Sequence, residues 1–330
     1  MASPKKIGPH NLTVSLVIVN FNSGDLLNQC IAQLEKQTVT PKQIFVVDNF
    51  STDNSALQFR SSDKVIFYPM SKNLGFAAGN NRAFEDCDGD FIVLLNPDAF
   101  PEPDWLEQLL LAAEAHPEAA IFGSRQLSHS SPVVLDGIGD IYHMSGLVWR
   151  DGHGREQAND DLVAREIFSP CAAASMYKRA ALAEVGGFDE DYFCYVEDVD
   201  LGFRLRLAGY KARYVPDAVV YHVGSATTGG QHSDFTMYHG HRNLVWTFVK
   251  NMPGSLFWLL LPMHLLLNLF SIVWYLLHGK GNVILKAKYD AMLRLPAMWQ
   301  KRKKIQKNRV ASITEIWSLL DKRLYKIKNR

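Results

Sequence analysis

Three acidic residues lie within four positions of one another in the second half of the chain. They are Glu197, Asp198 and Asp200, in the stretch Tyr-Val-Glu-Asp-Val-Asp-Leu. Carboxylates this close repel one another unless they serve a cation, a helix N-terminus or a reacting proton, and their crowding raises at least one pKa. A carboxyl group with a raised pKa suits general-base catalysis. The alternative is a helix N-terminal cap, which explains one carboxylate and leaves two unexplained.

Two further residues have the chemistry of metal ligands. Asp98 follows an apolar run and stands beside Pro97, which stiffens the turn, so its oxygens can bind a hard divalent cation. The alternative is a turn aspartate or a helix cap. His222 follows the apolar run Val-Val-Tyr, and neutral imidazole is a common metal ligand. A lone histidine at a strand end is, however, more often a structural hydrogen-bonding residue.

The elements that position these residues follow from hydrophobic periodicity. Runs rich in Val and Ile at 14–19, 43–47, 65–69 and 91–95 alternate with helical patterns at 25–37, 76–86 and 106–116, and a short turn is predicted near 55–60. This alternation predicts a parallel sheet covered by helices. Ligands of such sheets bind beyond the carboxyl ends of the strands. The polar residues at these ends are Asn20, Asn22, Asp48, Asn49, Asn73, Asn96 and Asp98.

The remainder of the chain divides near residue 251. Residues 126–165 predict loops and short strands, and residues 168–223 form a second ordered block. Within that block we expect helices at 178–185 and from about 200 to 208, and strands at 212–214 and 218–223. We therefore expect a catalytic domain over residues 12–250, followed by an apolar helical segment and a basic tail over residues 251–330.

Residues 256–277 contain no Asp, Glu, Lys or Arg, and about 20 apolar residues suffice to span a bilayer. Pro262 interrupts the stretch and would kink or break a helix. Three interpretations stay open: a membrane span, an in-plane or re-entrant hairpin broken at Pro262, and a pair of core helices.

The formal net charge of +1 conceals a split between two parts of the chain. Residues 279–330 contain 15 Lys and Arg against 3 Asp and Glu, a net of +12, and the preceding residues contain 20 basic and 31 acidic side chains, a net of −11. A basic tail predicts contact with an anionic surface, and near anionic lipid each Lys or Arg contributes about 1 kcal/mol. The alternatives are a solvated basic helix or nonspecific RNA binding; the overall charge argues against a nucleic-acid partner.

The compartment follows from the cysteines and the N-terminal sequence. Four scattered cysteines with no Cys-x-x-Cys pair argue against a zinc cluster or a disulfide scaffold and favour a reducing compartment. The apolar run 14–19 is shorter than the core of a secretory signal, about 7–15 residues. We expect most of the protein to lie in the cytoplasm. The sequence also has no His-Glu-x-x-His, Gly-x-Ser-x-Gly, Walker A or Gly-x-Gly-x-x-Gly motif, which argues against hydride transfer and ATP hydrolysis.

Five motifs, in this order, resemble those of the inverting glycosyltransferases of family 2. They are Val-Ile-Val-Asn-Phe-Asn at 17–22, Val-Val-Asp-Asn-Phe-Ser-Thr-Asp at 46–53, Asn-Leu-Gly-Phe-Ala-Ala-Gly-Asn-Asn at 73–81, Leu-Asn-Pro-Asp-Ala at 95–99, and Gly-Gly-Phe-Asp-Glu at 186–190 followed by Glu-Asp-Val-Asp-Leu at 197–201. The resemblance covers roughly residues 12–251 and implies the α/β GT-A fold. That fold is a mixed, mainly parallel sheet flanked by helices, here followed by a C-terminal helical segment that associates with the membrane.

The resemblance also implies a role for each candidate residue. Asp48 would accept the ring N–H of a pyrimidine base. Asp98 corresponds to the last carboxylate of the family's Asp-x-Asp-type motif and would bind Mg²⁺ or Mn²⁺. Because Asn96 replaces the first aspartate of that motif, metal binding would either be weaker or depend on His222, which matches the position of a further ligand. The other residues of the donor pocket would be Asn20, Asn22, Asn49, Asn73, Gly75, Asn80, Asn81 and Asn96.

On the acceptor side, the resemblance implies that Asp198 removes the proton from an acceptor hydroxyl. Glu197 would orient the acceptor, and Asp200 would cap the following helix. The stretch Asn-Pro-Asp-Ala at 96–99 and the pairs Arg242-Asn243 and Lys250-Asn251 resemble the rhamnosyltransferase-like branch. That branch implies a dTDP- or UDP-linked donor and a lipid-linked or cell-surface glycan acceptor. The apolar segment and the basic tail independently predict a place on the cytoplasmic face of the membrane, with the chain peripheral or shallowly inserted.

Two other functions stay open at this point. One is an inactive GT-A module that binds a nucleotide-sugar or glycan without turnover, although the retained acidic residues argue against it. The other is a processive polysaccharide synthase, which needs several spanning helices and a Gln-x-x-Arg-Trp signature that this sequence does not contain. Assembly into a homo-oligomer is also open.

Overall fold

The sequence Val-Ser-Leu-Val-Ile-Val-Asn forms the central strand β1 (Val14–Asn20), and all seven residues are buried. A continuous apolar run without alternation is typical of a parallel strand covered on both faces. In the computed structural model, which describes residues 12–56, 64–224 and 233–323, β1 pairs in parallel with a strand on either side. The turn predicted near residues 55–60 lies partly outside the described residues.

The described residues form strands and helices that follow the predicted alternation. The strands are β1, β2 (Gln43–Asp48), β3 (Val65–Pro69), β4 (Phe91–Leu95), β5 (Ala99–Pro101), β6 (Ala119–Ser128), β7 (Ser131–Gly137), β8 (Asp140–Tyr142), β9 (Val148–Arg150), β10 (Arg165–Glu166), β11 (Ala174–Lys178) and β12 (Lys211–His222). The helices are α1 (Leu26–Leu34), α2 (Gly75–Phe84), α3 (Trp105–Ala115), α4 (Arg179–Val185), α5 (Glu197–Leu207), α6 (Asp234–Asn251), α7 (Gly254–Leu277), α8 (Gly281–Leu293), α9 (Leu295–Lys307) and α10 (Ile313–Leu319).

These strands build one mixed sheet in the order β10-β12-β6-β11-β4-β1-β2-β3, with β5 paired to β12 and β7 to β6. Strands β3, β2, β1 and β4 are parallel, and β11 runs antiparallel to β4. One face of the sheet packs on α1 and α3, and the other packs on α2, α4 and α5. The predicted α/β sheet flanked by helices is confirmed.

Two predicted boundaries in the second block are wrong. Helix α5 begins at Glu197, three residues earlier than expected, so all three clustered acids lie in its first turn. The two strands expected at 212–214 and 218–223 form the single strand β12, whose register with β6 shifts between Val215 and Val219. A bulge at this point accommodates Pro216, which cannot donate to a regular ladder.

The apolar segment is one continuous helix, α7, which passes through Pro262 without a break. The hairpin broken at Pro262 and the pair of core helices are therefore wrong. Proline removes one backbone donor from the helix, and the remaining hydrogen bonds of 24 residues keep it intact. Among the described residues, α7 is the helix with the length and composition to cross a membrane.

The helices after residue 251 share a hydrophobic core with the preceding residues. Buried Phe203 and Phe248 belong to the same cluster as buried Met298 and Ile316. The predicted boundary at residues 250/251 therefore does not separate two cores. Some of the basic residues of the expected tail are also used inside the protein. Arg302, for example, is buried and donates to the Val249 carbonyl at 2.9 Å.

Candidate active site

The pairing of β5 with β12 brings the two predicted metal ligands together. His222 lies opposite Ala99 in this ladder, and the Val223 N–H donates to the Asp98 carbonyl at 3.0 Å. As a result, Nε2 of His222 lies 3.3 Å from Oδ1 of Asp98, and both residues are buried.

A second carboxylate orients His222 from its other side. Its Nδ1 lies 2.8 Å from Oδ2 of Asp136, at the end of β7, and Asp136 is held by Arg150 at 2.5 Å. Burial lowers the pKa of His222, but the hydrogen bond to Asp136 and the nearby carboxylate of Asp98 outweigh this effect and raise the pKa to about 9. Burial alone would raise the pKa of Asp136. The charge of Arg150 and the interactions with the two neighbouring histidines outweigh burial and lower the pKa, so this carboxylate stays ionised.

At this corner of the site, Asp98 and His222 together could hold a divalent cation. Nε2 of His222 is buried without a well-aligned hydrogen-bond partner, and it faces a carboxylate. A histidine whose other nitrogen is fixed by a carboxylate is the usual arrangement of a metal-binding imidazole. Within the part of the chain that the structure describes, no group of three His, Cys, Asp or Glu converges as a ligand set. Asp98 and His222 would therefore supply part of the coordination shell.

The predicted base lies at the start of α5, next to the same corner. Asp198 accepts a hydrogen bond from the Ala172 N–H at 3.1 Å, and the adjacent Ala173 carbonyl accepts from the Asn96 N–H at 2.8 Å. The two neighbouring alanines thus connect the first turn of α5 to the loop that contains Asp98. Burial raises the pKa of Asp198, although its backbone hydrogen bonds and the charge of Arg150 oppose the rise.

Glu197 and Asp140 are the buried acids beside Asp198. Burial and the neighbouring charge of Asp198 raise the pKa of each well above its usual range, so both are protonated over a wider pH range than ordinary acids. Oε2 of Glu197 is buried and has no hydrogen-bond partner, whereas Asp140 accepts from the Ser169 hydroxyl at 3.2 Å. The Oε2 atom of Glu197 is therefore a buried polar atom whose hydrogen-bonding capacity is unused among the described residues.

The third acid of the cluster has a structural environment. Asp200 is fully buried and pairs with Arg204 at 2.8 Å and with Lys250 at 2.7 Å. It also accepts from the Asn251 amide at 2.7 Å. The prediction that Asp200 caps α5 is wrong, because its oxygens are used by these side chains of α5 and α6.

The loop before Asp198 has an uncommon backbone conformation. Phe193, Tyr195 and Val196 have φ values of 65°, 65° and 68°. Positive φ costs non-glycine residues about 1–3 kcal/mol each, so neighbouring contacts must hold the loop. The side-chain amide of Asn243, on α6, supplies them: its Nδ2 lies 3.0, 2.9 and 2.7 Å from the carbonyl oxygens of Tyr192, Cys194 and Tyr195. Sequence reasoning noted Asn243 only through the resemblance.

The predicted donor side begins with Asn20 and Asp48, at the ends of two adjacent parallel strands. The Asn20 amide donates to Asp48 at 2.8 Å and to the Ser55 hydroxyl at 3.0 Å. The Ser51 hydroxyl donates to the same carboxylate at 2.6 Å. Asn22 has a φ of 48° and accepts from the Thr52 N–H at 2.7 Å, which ties the loops after the two strands together.

The loop at residues 73–75 is fastened to the same edge of the sheet. The Asn49 amide donates to Asn73 at 2.9 Å, and its oxygen accepts from the Leu74 N–H at 2.9 Å. Gly75 has a φ of 85°, and a Cβ atom there would lie 2.4 Å from the Phe193 carbonyl oxygen. Gly75 therefore lets the predicted donor loop contact the strained loop that precedes Asp198.

Three other residues of the predicted donor pocket have side-chain or backbone hydrogen bonds to the protein itself. The Asn80 side chain donates to the Phe76 carbonyl one turn earlier in α2 at 2.9 Å. Asn81 pairs with the backbone of Phe188 through both its amide nitrogen and its oxygen, each at 2.9 Å, so its amide fastens the segment after α4. Asn96 is half-buried beside Asp98, where its backbone fixes the loop. Donor contacts of these side chains remain predictions.

Sequence reasoning did not identify Asp136, Asp140 and Arg150. All three lie in residues 126–165, which predicted only loops and short strands. The signal was the stretch Asp-Gly-Ile-Gly-Asp at 136–140, where two glycines separate two acids. The stretch alone does not indicate which residue these acids contact; the pairing of β7 with β6 places Asp136 beside His222.

Comparison with known proteins identifies the family. The model of glycosyl transferase family 2 matches residues 15–186, more than half of the chain, and the chain belongs to this family. The N-acetylglucosaminyl-diphospho-decaprenol L-rhamnosyltransferase of Mycobacterium tuberculosis is 29% identical over 246 residues, which are 65% of this chain and 77% of that protein. The poly-beta-1,6-N-acetyl-D-glucosamine synthase of Staphylococcus aureus is 21% identical over 271 residues, 79% of this chain and 62% of that protein.

Solved structures show the same fold. GalNAc-T7 with UDP, GalNAc and Mn²⁺ superposes with a TM-score of 0.60 at 15% identity, covering 72% of this chain and 48% of that one. The mannosyltransferase PcManGT from Pyrobaculum calidifontis, in complex with GDP-Man and Mn²⁺, has a TM-score of 0.53 at 15% identity and covers 93% of this chain and 88% of that one. The predicted GT-A fold and family are confirmed. The protein is a glycosyltransferase, and its reaction class is sugar transfer from a nucleotide-sugar.

Proposed function

We propose that the protein transfers a sugar, L-rhamnose or another hexose, with inversion from a dTDP- or UDP-linked donor to a hydroxyl of a lipid-linked or cell-surface glycan. The observation that carries this proposal is the connection of Asp198 to the Asp98 loop through Ala172 and Ala173. This connection fixes a carboxylate base next to the corner that suits a diphosphate and its cation.

In the proposed reaction, ionised Asp198 accepts the proton of the acceptor hydroxyl. The acceptor oxygen then attacks the anomeric carbon from the face opposite the leaving group. The bond from that carbon to the diphosphate oxygen breaks, and its electron pair leaves with the nucleoside diphosphate. A single displacement of this kind inverts the configuration. Glu197, whose Oε2 is buried without a partner, is positioned to hydrogen-bond the acceptor.

Mg²⁺ or Mn²⁺, bound by Asp98 and His222, would act as a Lewis acid for the charge that develops on the departing diphosphate. Asp136 keeps the imidazole of His222 in one orientation at 2.8 Å. On the nucleotide side, Asp48 is buried at the end of β2, where its carboxylate can accept a pyrimidine N–H while Asn20 and Ser51 hold it in place.

The lipid-linked acceptor and a location at the cytoplasmic face of the membrane are supported by similarity and by composition. The mycobacterial relative is named for a diphospho-decaprenol substrate. This chain also carries the apolar helix α7 and the positive net charge of residues 279–330. Both features suit an enzyme whose acceptor is held in a membrane.

The experiment that tests the proposal is a screen of donor hydrolysis and transfer over UDP-, dTDP- and GDP-sugars, with and without Mn²⁺. One pyrimidine-linked donor should be turned over by the wild-type protein. Asp198→Asn should bind that donor with unchanged affinity and lose transfer by about 10²–10⁴-fold, the usual contribution of a general base. Near-normal turnover by this variant would remove Asp198 from the mechanism, and no turnover of any donor by the wild type would refute the proposal.

A further inference from the structure

Helix α7 carries an apolar stripe along one side. Ten of its large apolar residues are at least 47% exposed, and their spacing of three, four and seven positions places most of them on one face. Soluble monomers rarely expose a contiguous apolar surface of this size. The stripe consists of Trp258, Leu259, Leu265, Leu266, Leu269, Phe270, Val273, Trp274, Leu276 and Leu277.

The opposite side of α7 contacts protein from its first turns to its last. Phe257 is buried near the beginning of the helix, and His264 in the middle lies 2.8 Å from the Ser145 carbonyl oxygen. Near the end, the ring of Tyr275 packs on His241 at 5.0 Å. If α7 crossed a bilayer while keeping these contacts, the parts of the protein that pack on it would also have to enter the hydrocarbon. The packing therefore favours a helix that lies along the membrane surface, with a length of about 36 Å.

The charge next to the stripe selects a bilayer as the occupant. Residues 280–309 contain ten Lys and Arg and a single acidic residue, Asp290, although some of these bases, such as Lys301 and Arg302, are paired or buried within the protein. Lys303, Lys304 and Lys307 are exposed on α9, and Trp299 of this helix packs against Trp258 of the stripe. A second copy of the chain would bring the same positive charge to this surface, whereas anionic headgroups complement it.

The stripe is also connected to the active site. At the carboxyl end of α7, Lys280 pairs with Asp234 at 2.6 Å, and Asp234 begins α6. The next residue, Phe235, is 40% exposed, and its ring packs on Phe193 and Tyr195 at 6.2 Å each. Those two rings belong to the strained loop that precedes Asp198. The turn after α7 is therefore linked, through the start of α6, to the loop that precedes Asp198.

We propose that the α7 stripe docks on an anionic bilayer with the helix in the membrane plane, and that this docking brings the loop before Asp198 to the lipid surface. The functional role of this docking rests on the proposed function, since an acceptor attached to lipid would be presented at the membrane surface. The binding itself depends only on the stripe and the charges beside it. Trp258 and Trp274, near the two ends of the stripe, suit the headgroup level of the membrane.

The test is flotation of the full chain with vesicles of neutral lipid alone and of neutral lipid with phosphatidylglycerol. The wild-type chain should float with the anionic vesicles and detach in high salt or alkaline carbonate. Leu266→Glu with Leu269→Glu should reduce binding by at least about ten-fold, because two charges would enter the apolar interface. The matched control is Val133→Glu with Leu162→Glu, which changes two residues of similar exposure, 56% and 51%, far from α7 in sequence. It should bind like the wild type, and both double variants should keep the wild-type melting temperature.

Three results would overturn the inference. They are unchanged flotation of the stripe variant, resistance of the bound wild-type chain to alkaline carbonate, which indicates a span, and a stripe-dependent dimer in solution that does not bind vesicles. Donor hydrolysis in solution is measured alongside. The stripe variant should hydrolyse donor normally, and Asp198→Asn should still float, so a failure of docking and a failure of the proposed reaction give different results.

Discussion

Substitution of Asn243 tests whether catalysis depends on the position of Asp198, because it can displace this proposed base without altering its carboxylate. Nδ2 of Asn243 lies within 3.0 Å of three carbonyl oxygens of the loop at residues 192–196. Asn243→Ala removes this amide and touches neither the donor side nor the acids of α5. Because three residues of the loop have positive φ, we expect the freed loop to relax toward ordinary backbone angles and to move Asp198.

The expected magnitude follows from these contacts. An amide nitrogen carries two hydrogens, so the substitution leaves two carbonyls without a donor, at about 1–3 kcal/mol each. Relief of backbone strain returns part of that cost, and we expect a net loss of about 2–4 kcal/mol in the free energy of unfolding. A domain of ordinary stability, about 5–15 kcal/mol, remains folded after this loss. A displacement of about 1 Å at a reacting group can reduce the rate about 10²-fold, which is the decrease expected in kcat.

The measurements are urea unfolding, donor affinity and kcat with the donor found in the screen. Thr247→Val is the matched control, since it removes a buried hydroxyl one turn along α6 whose hydrogen bonds reach the Asn243 carbonyl and the Tyr192 hydroxyl. It should cost about 1 kcal/mol and leave kcat nearly unchanged. If Asn243→Ala loses stability but keeps kcat within about three-fold, the loop does not position Asp198 through this amide.

Three further outcomes are expected. Burial, reinforced by the charge of Asp198, holds the pKa of Glu197 well above its usual value of 4.5, so the folded state loses stability as the pH rises from 4.5 toward this raised pKa. Glu197→Gln should therefore flatten the decline in Tm above pH 4.5, and an unchanged Tm profile would contradict this. Gly75→Ala, whose Cβ would lie 2.4 Å from the Phe193 carbonyl oxygen, should lower stability by about 1–3 kcal/mol and reduce kcat, which unfolding curves and initial rates would show. Asp98→Ala should abolish the increase in donor affinity that Mn²⁺ gives, as measured by titration with and without chelator; a metal effect equal to that of wild type would exclude Asp98 as a ligand.

Much of the fold could be predicted from local sequence. The four apolar runs that become β1 to β4 are bounded by polar residues, and their ends match the observed strands within one residue. Their polar ends meet at one edge of the sheet because parallel strands share a direction, so the proximity of Asn20 to Asp48 follows from the pattern alone. The pairing of Asp98 with His222 was suggested by the family resemblance, since no local pattern relates residues so far apart.

Other features depend on contacts between distant segments. Asp136 and Asp140 lie in a stretch without clear periodicity, and only the pairing of β7 and β6 gives Asp136 its place beside His222. The role of Asp200 was misjudged because its partners, Lys250 and Asn251, come from a helix fifty residues later. Burial of this kind depends on tertiary packing, which sequence spacing does not report.

By itself, the sequence determined the order of the elements, the polar residues at the strand ends, and the separation of charge between body and C-terminal segment. The elements and their polar ends depend on neighbouring residues, and net charge is a sum over residues, so the sequence alone is sufficient to predict them. The tertiary structure alone decided that α7 continues through Pro262, that only one of its sides is exposed, and that the basic helices share a core with residues before 251. The physical reason is that a helix face becomes buried or exposed through the elements that pack on it, and α7 meets residues as far away as Ser145.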